Sequence, residues 1–319
     1  MQSKRFGYVG KLCLLVLVTA LVVWGNSAVS TDEKVAPTHI ATPKTSPPAP
    51  KPAELYQFPA GGRNLFPKYC LVALYGTPHA PVLGALGAQD LPHAIARAKS
   101  LARAYRPHTS AHVLPTLEII STVASASPTE NGDYSQEIEV ASLRPWVKAA
   151  QKAGVYVVLD LQSGRTSFMK QAKQYEPLLR EPNVGLALDP EWRLGPHQVP
   201  LVQIGQVSIK EVNATAVWLA ALTKRHHLPQ KLFLLHQFRL DMLPNRDKLN
   251  TSHKQLAYAI QMDGQGSQPQ KAETWRVLTA HPLANTYFGW KNFYHKDSPV
   301  LSPAQTMRKT PKPQYISYQ

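Results

Sequence analysis

Between residues 71 and 318 the chain alternates short apolar runs with longer segments whose apolar residues recur every three to four positions. The runs cover 71–75, 113–120, 155–161, 184–188, 232–236, 257–262, 286–293 and 315–318. Bounded by turn residues and too short for ordinary helices, they predict buried strands. Segment 89–105 carries Leu91, Ile95, Ala98, Leu101 and Ala102 on one helical stripe. Further helices are predicted over 140–153, 167–180, 208–226 and 271–280. Ser208 with Glu211 three residues on forms a capping box. Ser302-Pro303 opens a short helix with proline at its first position. Asn131-Gly132-Asp133 marks a polar loop after the second run.

Eight strands with helices between them over some 250 residues predict an α/β fold, a (β/α)8 TIM barrel lacking its last helix, since the eighth run ends the chain. A doubly wound open sheet is the competing arrangement. Against it, the first strand-to-helix connection, 76–88, is too long and proline-broken for a dinucleotide-binding glycine loop. The fourth run, with its continuation to Trp192, is the most informative. Gly185, Ala187, Asp189 and, if the extended path persists, Glu191 share one face, while Leu186 and Leu188 take the other. Small residues toward a barrel axis and leucines toward the helices fit a barrel strand, and two acids leave its C-terminal end.

The start of the chain has a different character. Lys4, Arg5 and Lys11 precede an apolar stretch over 12–24, followed by Ala28-Val29-Ser30. This predicts a secretory signal peptide over 1–30, cleaved after Ser30. An uncleaved anchor is the alternative, although the stretch is shorter than the roughly 20 residues of a spanning helix. Residues 31–63 are rich in Pro, Ala, Thr and Lys, a composition that buries little and predicts an extended linker. The barrel domain is then 64–319. Without the signal, Cys70 is the sole cysteine, so no disulfide within the chain supports the fold. The formal charge of +15 falls to +12 on loss of the three basic signal residues, because every acid follows Ser30. An exported basic monomer is expected to associate with an anionic cell surface. Export argues against nucleic acid, and no run of five or six Lys/Arg occurs.

Barrel enzymes carry their chemistry at the C-terminal ends of strands. Here nearly every run ends on polar residues: Tyr75 and His79, Glu118, Asp160 and Gln162, Asp189 and Glu191, His236 and Gln237, Asp263, then Lys291. Glu191, Asp189, Asp160 and Glu118 are the candidate catalytic acids. Tyr75, His79, Gln162, Trp192, His236, Gln237, Asp263 and Lys291 are candidates for binding substrate. Each has a plainer reading: loop acids capping a turn for Asp189 and Glu191, a rim acid for Asp160, a buried ion pair for Glu118, turn chemistry for Asp263. Neighbouring carboxyls resist joint ionisation, which suits a proton donor.

Leu188-Asp189-Pro190-Glu191-Trp192 resembles the Asp-x-Glu strand ending of chitinase-type and lysozyme-type glycoside hydrolases. The resemblance implies Glu191 as proton donor and Asp189 as the partner that orients an acetamido group. Val184 and Ala187 occupy positions where the longer chitinase-type pattern has acids, and Met262-Asp263 only faintly resembles its sixth-strand motif. Over about residues 70–319 the chain also resembles a group of exported bacterial (β/α)8 proteins sharing Leu159-Asp160-Leu161-Gln162, Leu188-Asp189-Pro190-Glu191-Trp192 and His236-Gln237-Phe238. That resemblance implies a glycosidase-like barrel without specifying a reaction. The expected function is hydrolysis of a cell-wall or other extracellular glycan, a polysaccharide or peptidoglycan-like polymer, without a cofactor. Two alternatives stand beside it: a hydrolase in which the same acids hold Mg²⁺, Ca²⁺ or Mn²⁺, and a glycan-binding barrel without turnover. Zinc is not expected, because no H-E-x-x-H or Cys/His spacing occurs.

Overall fold

The computed structural model describes residues 55–319, so the expected signal peptide and most of the linker lie outside the described residues. Everything described belongs to one unit, Ala53–Gln319. The strands are β1 (Tyr69–Gly76), β2 (His112–Ala124), β3 (Ser135–Glu137), β4 (Tyr156–Leu161), β5 (Val184–Leu188), β6 (Lys231–Gln237), β7 (Leu256–Met262), β8 (Thr286–Asn292) and β9 (Tyr315–Tyr318). All but β3 are parallel and close in the order β1-β2-β4-β5-β6-β7-β8-β9, with β9 pairing back onto β1. The fold is therefore a (β/α)8 barrel, and closure excludes the open sheet. The helices are α1 (Leu91–Tyr105), α2 (Val140–Lys152), α3 (Phe168–Gln174), α4 (Glu176–Leu179), α5 (Ile209–Arg225), α6 (Gln268–Thr279) and α7 (Pro303–Met307). Among the described residues no helix follows β9. Among the described residues no helix is long and apolar enough to cross a membrane.

Three local expectations change. The polar loop after the second run contains β3, which pairs antiparallel with the end of β2. The helix expected over 167–180 breaks at Tyr175 into α3 and α4, because Pro177 has no N–H to continue it and starts a new helix instead. The domain starts before residue 64: Phe58 is buried, with its ring edge-on to Tyr69 and Tyr156 at 5.5 and 6.1 Å between centroids. That short segment closes the end of the barrel where the strands begin.

Strand alternation sorts the core into layers. Leu71 and Ala73 of β1, Val158 of β4, Ala187 of β5, Leu234 of β6 and Ala259 of β7 pack together inside the barrel. Leu186 and Leu188 pack outward with Val212, Ala216 and Leu219 of α5. Gly185 is required by crowding: a Cβ there would lie 2.9 Å from both the Leu232 carbonyl oxygen and the Tyr156 hydroxyl. The space goes to Tyr156, whose hydroxyl accepts a hydrogen bond from the Leu232 N–H at 3.1 Å. One inward position higher, the apolar filling stops. Tyr75, Glu118, Asp160, Asp189, His236, Gln261, Lys291 and Ser317 occupy that level, all buried.

Candidate active site

This polar ring is the floor of the barrel mouth, and His236 is at its centre. One ring nitrogen, Nδ1, lies 2.8 Å from Asp263 Oδ2, and the other, Nε2, 2.9 Å from Glu118 Oε1. Asp160 Oδ1 is 3.8 Å from the same Nε2. Burial alone would lower the histidine's pKa, but the charges of Asp160 and Asp263 outweigh it and hold the ring well above its ordinary value. His236 is therefore an imidazolium donating from both nitrogens. Asp160 accepts a hydrogen bond from the Tyr75 hydroxyl at 2.9 Å. The Lys291 ammonium is 2.9 Å from Asp263 Oδ1 and stands 3.6 Å from the centre of the Tyr75 ring. Gln261 donates to the Ser317 hydroxyl on the far side of the ring.

Five carboxyls, Glu118, Asp160, Asp189, Glu191 and Asp263, thus face two cations, His236 and Lys291. They cannot all ionise, and their environments separate them. Burial pushes Asp263 up, but Lys291 and His236 together overcome this and hold it at about 2. Burial raises Asp160 to about 6, aided by Glu118 and opposed by His236 and Lys291. Burial and then the nearby charge of Asp263 raise Glu191 to about 7. Asp189 is held well above the usual carboxylate range by burial, with Asp160, Glu191 and Asp263 adding to the rise against His236. The mouth therefore sets Asp263, held ionised by two cations, beside Asp189 and Glu191, whose surroundings favour the protonated form.

The loop after β5 sets the height of the pair. Asp189 Oδ1 accepts from the Glu191 N–H at 3.2 Å across a short turn begun by Pro190. The Glu191 carbonyl accepts from Gly205 N–H at 2.6 Å, which ties this turn to the far end of the same loop. Asp189 is buried on the ring, whereas Glu191 is partly open. Glu191 borders a cavity of about 480 Å³ with Trp192, Leu201, Val202, Gln203, Ile204 and Arg239. Leu201 and Val202 are 77% and 75% exposed, unusual for such residues.

Of the residues expected from sequence, Glu118, Asp160, Asp189, His236, Asp263, Lys291 and Tyr75 meet on the floor, and Glu191 and Trp192 follow Asp189 in the loop that leaves β5, lining their own cavity. Three lie elsewhere. Gln237 is on the opposite face of β6 from His236, where its side chain accepts from Arg246 at 2.7 Å and donates to the Arg239 carbonyl at 3.0 Å. Gln162 accepts from the Ala124 N–H at 3.0 Å and joins the ends of β2 and β4. His79 is exposed, with its ring 6.2 Å from that of Trp146 and no contact with the acids. Gln237 and Gln162 thus support the scaffold, and His79 is outside the cluster. Sequence reading missed Gln261 and Ser317, whose signal was their place at the inward phase of strands β7 and β9. It also missed Arg239, which comes to the Glu191 cavity through a loop.

Asp189, His236 and Asp263 offer one ligand atom each within 4.8 Å of one another, a spacing that a metal ion would accept. The donor chemistry fits poorly. Coordination needs a lone pair on a neutral imidazole, and both His236 nitrogens are held as donors by Glu118 and Asp263. The sequence matches no protein-family model and no curated protein, so the chemistry has to be read from this geometry.

Proposed function

We propose that the barrel hydrolyses a glycosidic bond in an extracellular, amino-sugar-containing glycan, with Glu191 as proton donor and Asp189 as its partner. One observation carries this reading: a partly open carboxyl raised to about 7 lies close enough to a carboxylate held at about 2 for that charge to contribute to the rise. Pairs separated in this way divide acid and base work at neutral pH. Glu191 would give its proton to the oxygen of the bond that breaks. Trp192 and the exposed Leu201 and Val202 offer apolar surface for the face of a sugar ring. Asp160 and Glu118, at zero exposure, act through Tyr75 and His236 rather than on substrate. The second carboxylate within reach of a ligand is then Asp263, with 5% of its side chain exposed. If the substrate's own acetamido oxygen attacks, as the chitinase-type resemblance implies, Asp189 would be the residue that orients that group.

The test is release of reducing ends from cell-wall glycan. Glu191→Gln keeps the shape of the side chain and removes the acid, so kcat is expected to fall by about 10²–10⁴-fold with glycan retention unchanged. Undiminished release by this variant would remove Glu191 from the mechanism. Retention of glycan by the wild-type chain with no product after long incubation would leave a binding barrel.

A further inference from the structure

Charge is not distributed evenly along the barrel axis. The segments that lead into strands are 59–68, 106–111, 152–155, 180–183, 224–230, 249–255, 280–285 and 308–314, and they all lie at the end opposite the mouth. They contain eleven Lys/Arg and a single acid, Glu181. The segments that leave strands at the mouth, 77–90, 125–139, 162–167, 189–208, 238–245, 263–267 and 293–302, contain ten acids and four Lys/Arg. Lys68, Arg106, Lys152, Arg225, Lys254 and Lys312 are exposed, and among the described residues none of them is in a salt bridge. Beside Arg106, a groove of about 540 Å³ adds Lys99, Arg103 and His112 from the end of α1 and the start of β2.

We infer that the strand-entry face docks on the plane of an anionic phospholipid membrane and turns the mouth outward. Two observations favour a plane over a single polymer strand. The bases encircle the barrel axis, in seven of the eight entry segments, rather than lining one track. The charge at the other end is of opposite sign, so an anionic plane attracts one end and repels the other. The contact would be electrostatic and salt-sensitive. It does not depend on the chemistry in the mouth.

The test is co-sedimentation of the full chain with vesicles, either phosphatidylcholine alone or with about one third phosphatidylglycerol. The difference between the two isolates the charge-dependent part from any insertion of the apolar stretch. A triple variant at the entry face, Arg106→Glu, Lys152→Glu and Lys312→Glu, is compared with Lys170→Glu, Lys173→Glu and Lys210→Glu on the exposed faces of α3 and α5. Both change the net charge equally, and both sets are exposed. The entry-face variant is expected to lose roughly tenfold or more of the charge-dependent binding, and the other to lose little. Equal losses would mean that net charge alone acts and would overturn the oriented face. Equal binding of the wild type to both vesicles would overturn the docking itself. Capture on soluble polyphosphate with no preference for anionic vesicles would reassign the face to an anionic polymer. Glycan hydrolysis, measured separately, is expected to be unchanged in both variants.

Discussion

Glu191 and Asp263 show how contact decides the fate of a carboxyl. Both are largely withdrawn from water, and burial pushes both toward the protonated form. Asp263 touches Lys291 at 2.9 Å and His236 at 2.8 Å, and two adjacent cations exceed the cost of burial. Glu191 touches neither, and the nearby charge of Asp263 adds to its rise. If Glu191 is the proton donor, kcat/KM should fall as pH increases through about 7, because the reactive form is the one that retains the proton. Lys291 lowers the Glu191 value at present. Lys291→Met should therefore move this alkaline limb to higher pH, while a limb that stays in place would assign it to another group. The profile is measurable on any chromogenic glycoside that the wild type accepts.

At the level of elements, the loop of residues 189–208 determines whether that acid is presented correctly. Gly205 closes the loop by donating to the Glu191 carbonyl, and a Cβ at this position would lie 2.5 Å from the carbonyl oxygens of both Glu191 and Pro190. Gly205→Ala should displace the turn and reduce kcat by about tenfold or more, since misplacement near 1 Å is costly in a positioned site. Unfolding of the remaining barrel should change little, because the loop is peripheral to the core, and a thermal melt beside the kinetics separates the two effects. The strand that precedes this loop was legible in sequence, with Gly185, Ala187 and Asp189 inward and Leu186 and Leu188 outward, because a period of two leaves a direct mark. So was the gathering of acids at the C-terminal strand ends. The phase of a single residue at a strand terminus was not: Gln237 follows His236 and so turns away from it. Nor was β3 legible, a three-residue strand in a polar loop formed by pairing to β2. Contacts brought by loops, such as Arg239 at the Glu191 cavity, leave no periodic trace at all.

For the molecule as a whole, a floor built from buried ionisable groups carries a cost in stability that depends on pH. Asp160 moves from an ordinary value of 3.8 to about 6 on folding, and Glu191 from 4.5 to about 7. An acid whose folded value is the higher one contributes stability that is complete below its unfolded value and is lost as pH rises through the folded value. Asp189 shifts in the same direction. His236, also raised, acts with the same sign, since its stabilisation as an imidazolium fades once the pH passes its unfolded value near 6.5. Asp263 is the opposite case, with a folded value of about 2 against 3.8, so its contribution persists until strongly acid conditions. The signs agree across the range between about 4 and 7, and the barrel should melt at a lower temperature at pH 8 than at pH 5, by roughly 5 °C or more. Asp189→Asn keeps the side-chain volume and removes the burden of a buried carboxyl. This variant should raise the melting temperature at pH 8, reduce its dependence on pH, and abolish or impair turnover, the trade expected where a destabilising group is kept for function. Calorimetry on the two proteins at both pH values decides it. Equal melting temperatures for the wild type at pH 5 and pH 8 would mean that the carboxyls of the floor are ionised freely in the folded chain. The proton held on Glu191, on which the proposed chemistry depends, would then have no source.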